Sequence, residues 1–318
     1  MPFTIALQRA DRTEALFRGD VTVQGFAVDV VDLPVSDIFN RMLRDQAFDA
    51  SEMSFAYGLI VHGRGVPPLV TLPIYLHRIF RQSALFVRAD DSVKSPADLP
   101  GKTFAIHDFF AADPLWLRGL LRDRFGVNPR DIHWLQYAFR DRIPLPQLNG
   151  YQLDYAIGAD PSELLLSGQA DVVFAPEWPH AFTDGSDRIR PLFDDPLAEE
   201  VAYFQDTGLL PLLHGFVMRR DVYDAEPGLA AALYQALVAS RDRWYEKVLS
   251  NPSGVSGVPL FPSLALRVKQ LMGADFWPYG LAANRAALQK GIDYALADGL
   301  LSSAFDPADL FPPEFRTT

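Results

Sequence analysis

Residues 88 to 108 read RADDSVKSPADLPGKTFAIHD, a polar stretch punctuated by Pro96, Pro100 and Gly101 that leads into a fresh apolar run. Proline removes a backbone donor and disfavours helix in the residue before it, so no long helix and no central strand can pass through this segment. It reads as a crossover between two folded blocks. A chain of 318 residues exceeds what one hydrophobic core usually organises, which makes two lobes the expectation.

Both sides of the crossover alternate strand and helix signals. Ahead of it, FTIALQRA and FAVDVVDL read as strands and RTEALFRG as a helix. PVSDIFNRMLRDQ opens on Pro34 and Ser36 and then spaces its apolar residues as a helix does. ASEMSFAYGLIVHG, LVTLPIYL and SALFVRAD supply further strands or short helices. Beyond it come the helix DPLWLRGLLRDRFG, the strands DIHWLQYA and DYAIG, the helix DPSELLLSG, the strand DVVFAPEW and the helical DPLAEEVAYFQDTG. The run LLPLLHGFVMRRD then predicts a strand, and from residue 227 the pattern is helical. Such alternation predicts an α/β protein.

The formal charge of −11 argues against nucleic acid and against an anionic membrane surface as partners, since both reward the opposite sign. No run approaches the roughly twenty apolar residues of a membrane span. Cysteine is absent, which excludes disulfides, thiolate metal sites and a cysteine nucleophile. The N-terminus reads as a folded strand rather than an export signal, so the expected location is cytoplasmic.

Motifs for metal and cofactor chemistry are missing as well. His62, His77, His107, His133 and His180 are scattered, with no His-x-His or His-Glu-x-x-His. There is no Gly-x-Gly-x-x-Gly after a strand, no phosphate loop and no Gly-x-Ser-x-Gly elbow. The expectation is therefore no metal and no cofactor. His214 stands apart, an ionisable imidazole inside the apolar TGLLPLLHGFVM. It is either a core histidine satisfied by a backbone carbonyl or a group placed for proton transfer.

Several stretches carry a resemblance. SVKSPADLPGKTFAI resembles the inter-lobe segment of type II periplasmic-binding-protein folds. RADRTEAL, PVSDIFNRML, FDASEMSF, RIFRQSALFVRAD, PLWLRGLLRDRFGV, AYFQDTGLLPLLHGFVMRRDVYDAEP and FWPYGLAANRAAL, in chain order, resemble the 4,5-dihydroxyphthalate decarboxylase family within that superfamily. The resemblance implies a two-lobed type II periplasmic-binding-protein-like fold with a central ligand cleft. Lobe I would comprise residues 1–90 and 215–318, and lobe II residues 91–214. It also implies a cofactor-independent decarboxylase of a hydroxylated, phthalate-like aromatic acid. The alternative is a solute-binding protein for a small carboxylate, either transporter-type or a cytoplasmic sensor. A small aromatic carboxylate is the expected partner, and a homo-oligomer stays open.

Under this resemblance His214 and Asp108 are the candidate catalytic groups. Arg12, Arg81, Ser54, His107, Glu177 and Thr207 are the candidate substrate-binding residues. With 24 arginines against five lysines, a surface arginine paired to a carboxylate is the plain alternative for Arg12 and Arg81. For Asp108 the plain alternative is a helix cap beside an exposed His107. For Glu177 and its neighbour Trp178 it is a packed lobe surface. Gln82 stands where the family usually has histidine, while Asp108 and Ala112 stand where it tends to have glutamate and threonine. These departures point to a different aromatic or carboxylated substrate.

Overall fold

Apolar strands separated by helices assemble into two sheets. The structure, a computed structural model, describes residues 1–139, 143–146, 148 and 150–318. The strands among them are β1 (Phe3–Leu7), β2 (Val28–Asp32), β3 (Ala50–Ser54), β4 (Leu69–His77), β5 (Leu85–Arg88), β6 (Thr103–Ile106), β7 (His133–Gln136), β8 (Gln152–Tyr155), β9 (Val172–Phe174), β10 (Ile189–Pro191) and β11 (His214–Arg219). One sheet has the order β2-β1-β3-β11-β4 and the other β10-β5-β9-β6-β7-β8.

The chain divides into two compact units. The first holds residues 1–78, 212–289 and 305–318, the second residues 79–211 and 290–304. Against the expected borders near residues 90 and 215, the changeover falls earlier at both places. The first shift follows from β5, which pairs with β9 and β10 inside the second sheet. The chain also enters the second unit again at residues 290–304, where buried Asp298 pairs with Arg118.

In the first unit β1 to β4 run in one direction and β11 runs against its neighbours β3 and β4. The helix Val35–Asp45 buries Ile38, Phe39, Met42 and Leu43, the stripe that its sequence spacing predicts. Every residue of β3 is buried, although Ser51, Glu52 and Ser54 are polar. A central strand covered on both faces is normally apolar, so these side chains need partners.

In the second unit Leu164, Leu165, Val173, Ala175, Ala181 and Ile189 pack into one apolar cluster with Phe86 and Ala105. The helix Ala112–Phe125 buries its first ten residues in succession. Among the described residues no helix is long and apolar enough to cross a membrane.

Two strand expectations shift. The run around His214 predicts a strand with the histidine in its interior, yet β11 begins at His214. Pro211 cannot donate to a ladder, and the register with Ser54 of β3 and His77 of β4 begins at His214. The expected strand DYAIG lies earlier, at Gln152–Tyr155, because Gly158 turns the chain with φ +89°.

Candidate functional site

The first unit gathers its polar groups at one edge of the sheet. β1, β3 and β4 all end there, and β11 starts there. In open α/β sheets this carboxyl-terminal edge is where ligands bind. Ser54 closes β3 and occupies the position before the helix Phe55–Arg64. His77 closes β4, and Gln8 and Arg12 follow β1.

His214 is the centre of the cluster. Its Nδ1 lies 2.6 Å from Glu52 Oε1, and the second oxygen of Glu52 accepts the backbone N–H of Gln8 at 3.0 Å. Both side chains are buried, Glu52 to 2 % exposure and His214 to 9 %. The imidazole lies edge-on to Phe39 with ring centroids 5.1 Å apart, and 4.9 Å from the ring of His77. His214 is thus satisfied by a buried carboxylate and not by a backbone carbonyl.

Arg12 is fixed without a carboxylate among the described residues. Its Nε donates to the carbonyl of Leu76, and its guanidinium stacks 4.6 Å from the Trp277 ring. Trp277 in turn donates from Nε1 to the carbonyl of Tyr75 at 2.7 Å. Nearby, the buried Tyr279 hydroxyl has no hydrogen-bond partner among the described residues. Burial pushes its pKa up to about 12, although Arg12 and Arg241 pull it down. Arg78 donates to Asn284 Oδ1 at 2.7 Å and to the carbonyl of Pro278, and burial lowers its pKa to about 10.

The second unit presents a separate set. Arg81 Nε lies 2.5 Å from Asp113 Oδ1, so this arginine is already matched with a carboxylate. Gln82 is buried, and its Oε1 accepts the backbone N–H of Arg81 at 3.0 Å. Asp108 is buried too, but the helix Ala112–Phe125 begins after Ala111, and Asp108 Oδ1 accepts from Phe110 N at 3.0 Å. It therefore caps a turn and not the helix, because three residues lie between it and the first helical residue, Ala112. His107 is half-buried beside Phe174, with ring centroids 5.5 Å apart. Burial raises the pKa of Glu200, whose Oε1 accepts from Ser83 N.

Glu177 is exposed after β9, as is Trp178 at 62 %. The Thr207 hydroxyl donates to the carbonyl of Tyr203 at 2.7 Å in the last turn of the helix Pro196–Thr207.

The sequence-derived set thus falls into two groups: Arg12, Ser54 and His214 in the first unit, and Arg81, His107, Asp108, Glu177 and Thr207 in the second. Residue-level reading missed Glu52, Trp277, Tyr279 and Asp113. Glu52 had a visible signal, an acidic residue inside ASEMS, a segment too short and too flanked by apolar residues to be a surface strand.

Comparison with known proteins separates fold from function. No protein-family model matches the chain. Among solved structures, the aliphatic sulphonate binding protein SsuA from Escherichia coli is similar at a TM-score of 0.59 and 14% identity, covering 100% of this chain and 99% of its own. The desulfurization enzyme DSZB is similar at a TM-score of 0.53 and 17% identity, covering 99% and 98%. The protein is an α/β protein of the periplasmic-binding-protein-like class, a fold these neighbours use for binding and for enzymatic turnover alike. Along nearly its whole length it resembles a 4,5-dihydroxyphthalate decarboxylase of Comamonas testosteroni, at 29% identity over 98% of this chain and 97% of the relative. A second 4,5-dihydroxyphthalate decarboxylase, from Pseudomonas putida, matches at 26% identity over 61% of this chain and 77% of its own.

Proposed function

We propose that this protein is a cofactor-independent decarboxylase of a hydroxylated aromatic carboxylic acid of the phthalate type, with His214 as its acid/base group. The observation that carries the reading is His214 at the sheet's carboxyl edge, tied through Nδ1 to Glu52, in a chain resembling decarboxylases over 98% of its length.

Loss of CO₂ from such an acid requires a place for the electrons of the breaking C–C bond. Protonation of the ring carbon that bears the carboxylate supplies it. The para hydroxyl gives its proton to solvent, the ring becomes dienone-like, and the ring carbon takes a proton from Nε2 of the His214 imidazolium, which is left neutral and recharges from solvent. The C–C bond then breaks, CO₂ departs, its bonding pair restores the aromatic ring, and the phenolate recovers a proton. The net change is one proton for one CO₂. Arg12 holds a carboxylate through its fork of N–H donors, with its orientation fixed by Leu76 and Trp277. Ser54 lies opposite His214 across β3 and β11, and the Tyr279 hydroxyl feels the charges of Arg12 and Glu52. Asp108, His107, Arg81, Glu177 and Thr207 remain the candidates within the second unit, with Arg81 already engaged by Asp113. The cytoplasmic location expected from the sequence is proposed together with this reading.

The test is a thermal-shift screen of hydroxylated benzoates and phthalates, 4,5-dihydroxyphthalate included, followed by CO₂ release on the hits. His214→Asn should keep the fold and ligand affinity while kcat falls about 10²- to 10⁴-fold, the range for one acid/base group. A folded variant with undiminished CO₂ release overturns the role of His214. The resemblance of the fold to SsuA keeps a solute-binding reading in view. Tight binding of a carboxylate with no CO₂ from any hit would favour it.

A further inference from the structure

We infer that Glu52 is a positioning residue whose carboxylate selects the His214 tautomer, leaving Nε2 as the nitrogen that exchanges a proton with substrate. The inference rests on His214 being the acid/base group.

A glutamate in the middle of a fully buried strand is costly unless both oxygens are satisfied. Glu52 meets that condition with two partners of different kind. Oε2 is held by the backbone N–H of Gln8, a donor that cannot titrate or move away, and Oε1 faces His214 Nδ1 at 2.6 Å. None of the described ion pairs gives Glu52 an arginine or lysine; its one ion-pair partner is the histidine. An apolar residue would fill this strand position at lower cost, so the acid has to be explained by the histidine it faces.

The geometry gives the explanation. A carboxylate accepts, so the ring donates through Nδ1, and the lone pair of the neutral imidazole resides on Nε2. Phe39 and His77 flank the ring, with centroids 5.1 Å and 4.9 Å away, while Nδ1 meets the carboxylate. Gln8 fixes Glu52 from the first residue after β1, so the backbone of one strand end sets the histidine at the start of another.

Two measurements test this. In wild-type protein, histidine nitrogen chemical shifts should show His214, assigned by its loss in His214→Asn, with hydrogen on Nδ1 and none on Nε2 in the neutral form. The opposite tautomer overturns the inference whatever any variant does. In kinetics, Glu52→Gln should lower kcat at least tenfold with KM changed by less than about threefold, since the amide can face Nδ1 with either its oxygen or its nitrogen. Glu52→Asp, which keeps the carboxylate, should recover part of the loss. In a His214→Asn background, Glu52→Gln should cost nothing further, because residues acting as one unit are not additive. Wild-type kcat in folded Glu52→Gln, or losses that multiply in the double variant, would sink the proposal. If His214→Asn itself keeps full CO₂ release, the decarboxylase role of the histidine fails first, and the nitrogen shifts still report the tautomer independently.

Discussion

Arg12, in the first unit, differs from two arginines of the second unit in what surrounds it. Arg81 lies against Asp113 and Arg118 against Asp298, each charge balanced inside the fold. Arg12 instead uses Nε on the Leu76 carbonyl and stacks on Trp277, and none of the described ion pairs includes it. A weakly hydrated guanidinium held this way is ready for a planar carboxylate, and lysine cannot reproduce either the fork or the stacking. Arg12→Lys and Arg12→Gln should therefore both lower kcat/KM on the aromatic acid, by about 10- to 100-fold for the glutamine, in line with roughly 1.5–3 kcal/mol for a hydrogen bond to a charged group. The loss should lie mainly in KM, with the melting temperature nearly unchanged. Wild-type KM in both variants would remove Arg12 from substrate binding. The sequence offered Arg12 and Arg81 on equal terms, because each sits in a family-like stretch. What separates them is Asp113, 32 residues beyond Arg81 and invisible as its partner until the helix after β6 is in place.

At the scale of elements, the helix Ala112–Phe125 is organised by a charge it cannot show on an amphipathic wheel. Arg118 is fully buried on it, with Nε 2.6 Å from Asp298 Oδ2, Nη1 donating to the carbonyl of Phe109 at 2.8 Å, and its guanidinium 3.9 Å from the Phe109 ring. Asp298, after the helix Arg285–Ala297, also accepts from Arg122 and from the Tyr151 hydroxyl at 2.6 Å. This network fixes the carbonyl next to Asp108, so it supports the turn after β6 as well as the packing of two helices. Asp298→Asn strands a buried guanidinium and should cost about 3–5 kcal/mol, read as a lower denaturant midpoint. A cost under about 1 kcal/mol would mean that the network is incidental. Most strands and helices were legible because hydrophobic periodicity and proline or glycine stops are local. The polar exceptions were not: Glu52 needs Gln8 and His214, and Arg118 needs Asp298, partners that only tertiary folding supplies. The start of β11 was misjudged for the same reason, since an apolar run does not reveal at which residue its neighbours begin to pair.

For the whole molecule, the α/β class follows from the alternation of elements, and the periplasmic-binding-protein-like fold is what the resemblance of the proline-rich crossover implies. The third chain crossing, which brings residues 290–304 into the second unit, follows from neither, because that segment reads as continuous helix and its allegiance is decided by Asp298. The same fold carries binding proteins and a desulfurization enzyme, so chemistry has to be argued from side chains. In the proposed reading those side chains are an alternative to Lewis-acid catalysis, with a histidine to move the proton and an arginine to hold the carboxylate. Among the described residues no group of three or more histidine, aspartate or glutamate side chains could hold a metal ion. CO₂ release should therefore continue at an undiminished rate after exhaustive dialysis against a chelator. The binding hit should also raise the melting temperature of chelated protein as it does untreated protein, because a ligand at 100 times its Kd stabilises the folded state by about 2.7 kcal/mol whatever the chemistry that follows. Loss of turnover on chelation with recovery by one divalent ion, while the ligand-induced shift persists, would transfer the charge-stabilising role from Arg12 to a metal and require the proton-transfer scheme to be rebuilt around it.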